Sequence, residues 1–284
     1  MSKVLAIDLG ATNTRLALVN GKTGRIFDKR RLASQAGDYA ATLRELSSAI
    51  ATCPKIPVGV AVAGQLDQKR QVVCHAPNLK WHQVALARDL ARLTGRKVVL
   101  ENDVRAAARG ELRFGALRKV AGTGVCFFWG SGIGGAVTHA GKIDYGAANL
   151  AGEIGHVPYR SRGTLCACGK HGCYEAYAGG HVLDRKARRL GLADARELSA
   201  SARGGLVLRG AVEVAAQLIG CLGIALDPGC IVVGGSLGVA HFAELSAGAN
   251  AQRLPVRTLP WLIVPTPLGD DAGLLGVAAA AAAA

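Results

Sequence analysis

Three cysteines and a histidine stand close enough in the chain to hold one metal ion. His156 is followed, after nine intervening residues, by Cys166-Ala167-Cys168-Gly169-Lys170-His171-Gly172-Cys173. Three thiolates and one imidazole form a Cys3His set, a common composition for tetrahedral structural zinc. Gly169 and Gly172 let closely spaced cysteines turn towards one point. Four protein ligands close the shell, so His156, Cys166, Cys168 and Cys173 would hold Zn2+ for structure and not for catalysis. His171 competes as the imidazole but lies inside the knuckle; free thiols in a loop would show the same residues. Cys53, Cys74, Cys126, Cys221 and Cys230 are scattered and read as small buried hydrophobes, not as a disulfide framework.

A second kind of chemistry is written in the glycines. Asp8-Leu9-Gly10-Ala11-Thr12-Asn13-Thr14 follows an apolar run, Val4 to Ile7. Small residues there let backbone N–H groups approach phosphate oxygens, and Thr12 and Thr14 add hydroxyls. Asp8 stands at the strand end, where a carboxylate could hold Mg2+ directly or through water. Gly130-Ser131-Gly132-Ile133-Gly134-Gly135 and Gly234-Gly235 offer two more such turns. Each alone is equally a tight hairpin. The P-loop pattern is absent, and the segment after Gly135 reads as a strand where a dinucleotide fingerprint needs a helix. Together, three turns facing one cleft suit a nucleoside triphosphate.

The elements that must position these residues repeat. Strands are expected at residues 4–7, 15–19 and 24–31, then a helix at 38–51 capped by Asp38. A strand at 58–62, a helix at 84–93, a strand at 97–100 and a helix at 104–114 follow. The pattern restarts with strands at 124–129 and 136–139, an irregular stretch from about 144 to 175, and helices at 176–189 and 210–226. Strands near 230–233 and 262–264 and a helix from Asp271 close the chain. The Ala-rich tail from Ala278 reads as a helix end or a frayed terminus. This is a duplicated α/β unit: one domain over 1–118, completed by the helix at 271–284, and a second over 119–270, with a ligand cleft expected between them.

Composition narrows the classes. The chain has 284 residues, 50% hydrophobic and 19% charged, with 34 Lys and Arg against 20 Asp and Glu. The net charge of +14 is spread over short clusters, and aromatic residues are only 5%, so nucleic acid is disfavoured as primary partner. No uninterrupted apolar run reaches the roughly 18 residues of a membrane span. Asp8 interrupts any secretory signal. A soluble, cytoplasmic protein is expected.

Taken in order, these segments resemble the ROK family of repressors, uncharacterised frames and sugar kinases. Asp8 to Thr14 resembles its first phosphate motif, with Ala11 where Gly is usual. Ala63-Gly64-Gln65-Leu66-Asp67 and Pro77-Asn78-Leu79-Lys80-Trp81 resemble its sugar-side loops, and Glu101-Asn102-Asp103 its catalytic segment. Gly130 to Gly135 resembles the second phosphate motif. Ala151-Gly152-Glu153-Ile154-Gly155-His156, the knuckle and Glu175 resemble its signature and zinc site. Asp227 to Ser236 resembles its nucleotide-side loop.

The resemblance implies a two-domain actin-like (ribonuclease-H-like) ATPase fold and a kinase using MgATP. It makes Asp103 the general base, although Asp there would also cap a helix. By similarity Gly64, Asn78, Asn102, Glu153, His156 and Glu175 bind the sugar. The nucleotide side takes Asp8, Gly10, Ala11, Thr12, Asn13, Thr14, Gly130, Ser131, Gly132, Ile133, Gly134, Gly234 and Gly235. Arg105 replaces a small polar residue and is expected on the helix surface. The first phosphate motif starts within ten residues of Met1, leaving no room for the repressors' helix-turn-helix. The expected substrate order is glucose, then N-acetylmannosamine or N-acetylglucosamine, then fructose. The expected assembly is a homodimer. A sugar-sensing regulator is the non-enzymatic alternative.

Overall fold

The structure is a computed structural model describing residues 3–284. In chain order β1 (Lys3–Leu9), β2 (Asn13–Asn20) and β3 (Ile26–Ala33) precede α1 (Tyr39–Ala51) and β4 (Val58–Val62). Three short strands follow, β5 (Gln65–Leu66), β6 (Val73–Ala76) and β7 (Trp81–Val84), then α2 (Leu86–Thr94), β8 (Val98–Asn102) and α3 (Asp103–Phe114). The later part runs β9 (Thr123–Trp129), β10 (Ile133–His139), β11 (Lys142–Ile143), α4 (Glu175–Ala178), α5 (Gly180–Arg189) and α6 (Ala202–Leu226). It closes with β12 (Cys230–Gly234), α7 (Ser236–Ala240), α8 (Phe242–Asn250), β13 (Ile263–Pro265) and α9 (Ala272–Ala283).

The chain forms two compact units. The first takes the chain up to Lys119, then Lys142–Ala151 and Leu268–Ala284. Its main sheet has the order β3-β2-β1-β4-β8, with β1 antiparallel to β2 and parallel to β4. Alternate side chains of β1 enter different cores. Leu5, Ile7 and Leu9 pack with Leu46 and Ile50 of α1, and Val4 and Ala6 pack with Leu274 and Val277 of α9. A strand covered on both faces must be apolar throughout, which is why β1 and β4 lack clean alternation. A separate sheet, β5-β6-β7, escapes sequence reading because its strands are short and carry His75, His82 and Gln83.

The Ala-rich tail is no frayed end. Ala278 is fully buried and Ala281 nearly so. Small residues are needed because α9 lies against backbone: a Cβ at Gly59 would come within 2.6 Å of the Val277 carbonyl oxygen. Residues 142–151 also belong to this unit, although they lie in sequence beyond the expected boundary at 118.

The second unit takes Val120–Gly141 and Gly152–Pro267. Four of its strands run β10-β9-β12-β13, with β9 antiparallel to β10 and parallel to β12. This repeats the β2-β1-β4 pattern of the first unit. Phe127 and Trp129 of β9 anchor its core, with Leu218 and Ile219 of α6. The helix expected at 176–189 breaks at Gly179, whose backbone is extended, into α4 and α5. The helix expected at 210–226 begins at Ala202, where the Ser201 hydroxyl accepts from Gly204 N at 3.0 Å. By length and composition α6 alone among the described helices could cross a membrane; here it contributes Ala215 and Leu218 to the core.

Candidate active site

Asp103 is the first residue of α3, and Asn102 is its cap. Asn102 Oδ1 accepts from Val104 N and Arg105 N, both at 3.1 Å, which satisfies two of the helix's open donors. Asp103 is therefore not the capping residue. Asn102 Nδ2 donates to Asp103 Oδ1 at 2.9 Å and to Gly64 O at 3.1 Å. One amide thus ties the helix start, the Asp103 carboxylate and the Gly64 loop together. Gly64 must be Gly, since a Cβ would meet Ala76 Cβ at 2.8 Å and His75 O at 2.9 Å. Asn78 is exposed on a short 3-10 turn, Pro77–Leu79.

The first glycine turn closes through Gly10 N donating to Asn13 O at 3.2 Å. Thr12 is exposed, whereas Thr14 is buried with its hydroxyl 2.9 Å from that of Ser34. Thr14 thus braces the turn from behind. Asp8 accepts from Arg15, Nε at 3.1 Å and Nη2 closer still. Asp8 and Asp103 both flank the start of α9: a Cβ on Gly273 would lie 3.9 Å from Asp8 Oδ2 and from Asp103 O.

In the second unit the turn after β9 is held by its own helix. Gly180 N donates to Gly130 O at 3.1 Å, His181 N to Ser131 O at 2.8 Å, and Ile133 N to Glu175 Oε2 at 2.8 Å. A Cβ on Gly132 would lie 2.5 Å from Glu175 Oε2. Glu175, expected as a sugar ligand, braces the Gly130–Gly135 turn with one carboxylate oxygen. Gly235, at φ +79°, passes over Trp129, leaving no room for a side chain. Gly134 lies in β10, paired with Phe128.

The sulfur and imidazole donors converge. The ligand atoms of His156, Cys166, Cys168 and Cys173 all lie within 4.8 Å of one another. His156 Nδ1 is 3.6 Å from Cys166 Sγ, and Cys168 Sγ is 3.7 Å from Cys173 Sγ. Two thiolates on a tetrahedral Zn2+ at about 2.3 Å stand about 3.8 Å apart, so the spacing fits that ion. Gly169, at φ +86°, makes the knuckle between Cys168 and Cys173. His171 is exposed and outside the cluster. Burial pushes the Cys166 thiol up to about 12. Cys168 is also desolvated, but hydrogen bonds from Lys170 N and the neighbouring thiols bring it below the usual thiol range. His156 Nε2, on the far side of the ring, lies 3.9 Å from Glu153 Oε2. One imidazole thus faces the sulfurs and the carboxylate at once.

Sequence reasoning missed a buried polar network beside Asp103. Glu101 is fully buried. Its Oε2 accepts from Tyr145 OH at 2.7 Å, Arg70 Nη1 at 3.1 Å and Arg109 Nη2 at 3.3 Å. Burial, then the Glu101 charge, raises the Tyr145 hydroxyl above its ordinary range. The available signal was a carboxylate ending the apolar run Val98-Val99-Leu100. Arg105 also departs from expectation: it is 3% exposed and not on the helix surface. Neutral acceptors on the 142–151 segment draw it inward.

Two mixed-sheet units, glycine turns after the first strand of each, and a carboxylate at a helix start define a phosphotransferase of the actin-like ATPase class. The profile of the ROK family matches residues 4–284. The chain belongs to the ROK family. It is 31% identical to a glucokinase of Thermotoga maritima, over 97% of this chain and 96% of that one. It is 33% identical to an N-acetylmannosamine kinase of Escherichia coli, over 96% of each. The crystal structure of a ROK family glucokinase from Streptomyces griseus with glucose and AMPPNP superposes with a TM-score of 0.88, at 27% identity, covering 99% of this chain and 100% of that one.

Proposed function

We propose that this sugar kinase transfers the γ-phosphoryl group of ATP to a hexose, glucose first, giving glucose 6-phosphate and ADP. The observation that carries the reading is the Asp103 carboxylate, set at the start of α3 and oriented by Asn102. The Asp103 carboxylate takes the proton of the sugar hydroxyl. The freed oxygen forms its bond to phosphorus as the bond from phosphorus to the ADP oxygen breaks. Asn102 keeps Asp103 aimed and holds the Gly64 loop. Asn78, Glu153, His156 and Glu175 bind the other hydroxyls, with Asn102 and Gly64 beside the base.

The turns Gly10–Thr14, Gly130–Gly134 and Gly234–Gly235 cradle the nucleotide with backbone donors. Asp8 would hold Mg2+, which when bound neutralises charge on the phosphates. That requires Arg15 to release Asp8, leaving a guanidinium ready for the phosphates. His156, Cys166, Cys168 and Cys173 hold a structural Zn2+, and His156 turns its other nitrogen towards Glu153 and the sugar. We place the enzyme as a cytoplasmic homodimer at the entry to glycolysis.

The second reading is an N-acetylmannosamine kinase, favoured by the 33% identity to the Escherichia coli relative. A coupled ADP-release assay over glucose, mannose, fructose, N-acetylglucosamine, N-acetylmannosamine and allose decides between them. Turnover highest with glucose is expected. Turnover only with an N-acetylated sugar moves the assignment to the second reading. None with any sugar, with ATP or polyphosphate as donor, overturns both and leaves a sugar-sensing regulator.

A further inference from the structure

Arg105 is a buried cation whose hydrogen bonds all go to neutral oxygens. Nη1 donates to Asn149 Oδ1 at 2.7 Å, and Nη2 donates to Asn149 O and Ala151 O, both at 2.9 Å. The guanidinium also lies 5.6 Å from the centroid of the Tyr145 ring. Burying a charge is costly, and an apolar residue of similar size would fill the space without that cost. A fork of fixed geometry holds what a packed side chain does not: the direction of a backbone.

The backbone it holds is the strap formed by residues 142–151. Tyr145 fastens one end to Glu101. Gln68 Nε2 donates to Ala147 O at 2.8 Å. Asn149 Nδ2 donates to Leu66 O at 2.9 Å and Asp67 O at 3.0 Å. Asn149 sits at φ +58°, in the left-handed region that Asn enters more readily than most residues, and makes the bend there. Arg105 grips the far end at Ala151, two residues before Glu153. On its own side Arg105 is in the first turn of α3, two residues after Asp103. One helical turn carries both the base and the clamp.

We propose that Arg105 is a positioning residue for hexose binding. Its fork sets the course of the strap at Asn149 and Ala151, and so the placement of the sugar-side loop at 63–67 whose Leu66 and Asp67 carbonyls Asn149 holds, without touching the nucleotide groups. The proposal rests on the kinase reading above.

The test uses the full-length, zinc-loaded protein as wild type, Arg105→Met, Arg105→Lys and Asn149→Ala, with steady-state kinetics and amide hydrogen exchange. Arg105→Met is expected to raise the hexose KM on the order of tenfold and leave the ATP KM within about twofold. Exchange is expected to speed up over residues 64–68 and 144–151 while α9 keeps its protection. Arg105→Lys should show the same hexose defect, because an ammonium keeps the charge and loses the three-point fork. A folded Arg105→Met protein with a hexose KM within about twofold of wild type overturns the proposal. So does a Lys variant that behaves as wild type, since charge alone would then suffice. If Arg105→Met does not fold, Asn149→Ala removes one acceptor, keeps the arginine and carries the same two expectations. If the wild type consumes no ATP with any hexose, the kinase reading falls separately. Unchanged exchange over 64–68 and 144–151 then overturns the clamp, and faster exchange upholds it.

Discussion

In the proposed mechanism the chemistry depends on how Asn102 holds Asp103. Asn102 uses its carbonyl on two helix N–H groups and its amide on Gly64 O and Asp103 Oδ1. An isosteric change at Asp103, the proposed base, should thus leave the helix start intact. Asp103→Asn is expected to lower kcat by about 10²–10⁴-fold while the hexose still binds, read by ADP release and by sugar-induced thermal shift. A variant that keeps more than a tenth of wild-type kcat would remove Asp103 from the role of base. Asn102→Ala acts through position. It should lower stability by about 1 kcal/mol for the lost cap and lower kcat as well, because Asp103 loses its orienting donor. Chemical denaturation beside kinetics separates the two effects.

At the scale of elements, two features carry testable weight. The first is the contact of α3 with α9, made through Gly110, Gly276 and Ala106. A Cβ at Gly276 would overlap the Ala106 carbonyl, and one at Gly110 would come within 2.5 Å of the Ala272 carbonyl oxygen. Gly276→Val should cost about 1–3 kcal/mol or more of stability by overpacking, measured by urea unfolding. Wild-type stability in that variant would show that α9 can slide off α3. The second is the turn between β5 and β6. Asp67 is partly desolvated, but its carboxylate accepts from Gln71 N at 2.6 Å and Val72 N at 2.8 Å, which brings it below the usual carboxylate range. A depressed folded value means that the contribution is present above the unfolded value of about 3.9 and lost as pH falls through the folded one. Asp67→Asn should therefore lower the melting temperature at neutral pH and make no difference once the pH is well below the folded value. Equal destabilisation at both would mean that the charge is not what the turn uses.

The whole molecule should answer to its ligands. A group that binds only the folded state stabilises it by mass action, about 2.7 kcal/mol at a hundredfold excess over Kd. The preferred hexose should raise the melting temperature, and ATP with Mg2+ should raise it separately. Zinc, as proposed, should matter more broadly, because it would tie His156, and through it Glu153, to Cys166, Cys168 and Cys173. Cys168→Ser is expected to lose zinc by metal analysis and to weaken hexose binding, although Cys168 itself belongs to the knuckle. A variant that keeps both zinc and hexose affinity would end the idea of the knuckle as a brace.

The amino-acid sequence by itself determined what depends on short stretches of chain. The spacing of Cys166, Cys168 and Cys173 forces a knuckle, and Gly10, Gly132 and Gly235 mark places where a Cβ cannot stand. The crowding at Gly132 and Gly235 comes from Glu175 and Trp129, distant in sequence, but the knuckle and the turn at Gly10 are set within a few residues and can be read from the chain. The paired apolar strands after which the glycine turns fall are legible for the same reason. Only the tertiary structure decided the rest. Arg105 looks like one more surface cation until Asn149 and Ala151, more than forty residues away, supply its acceptors. The strap at 142–151 packs with the first unit because Tyr145 finds a buried carboxylate there, and no local pattern announces that. Asn102 and Asp103 are both good capping residues by type, and the choice fell to Asn102 once Gly64 O was within reach of its amide. The alanines of α9 read equally as a helix end or a frayed terminus, because their burial depends on Gly59 and Gly110 lying opposite. A buried polar group or a small-residue contact is satisfied by whatever the fold brings near, so its meaning is set by partners distant in sequence.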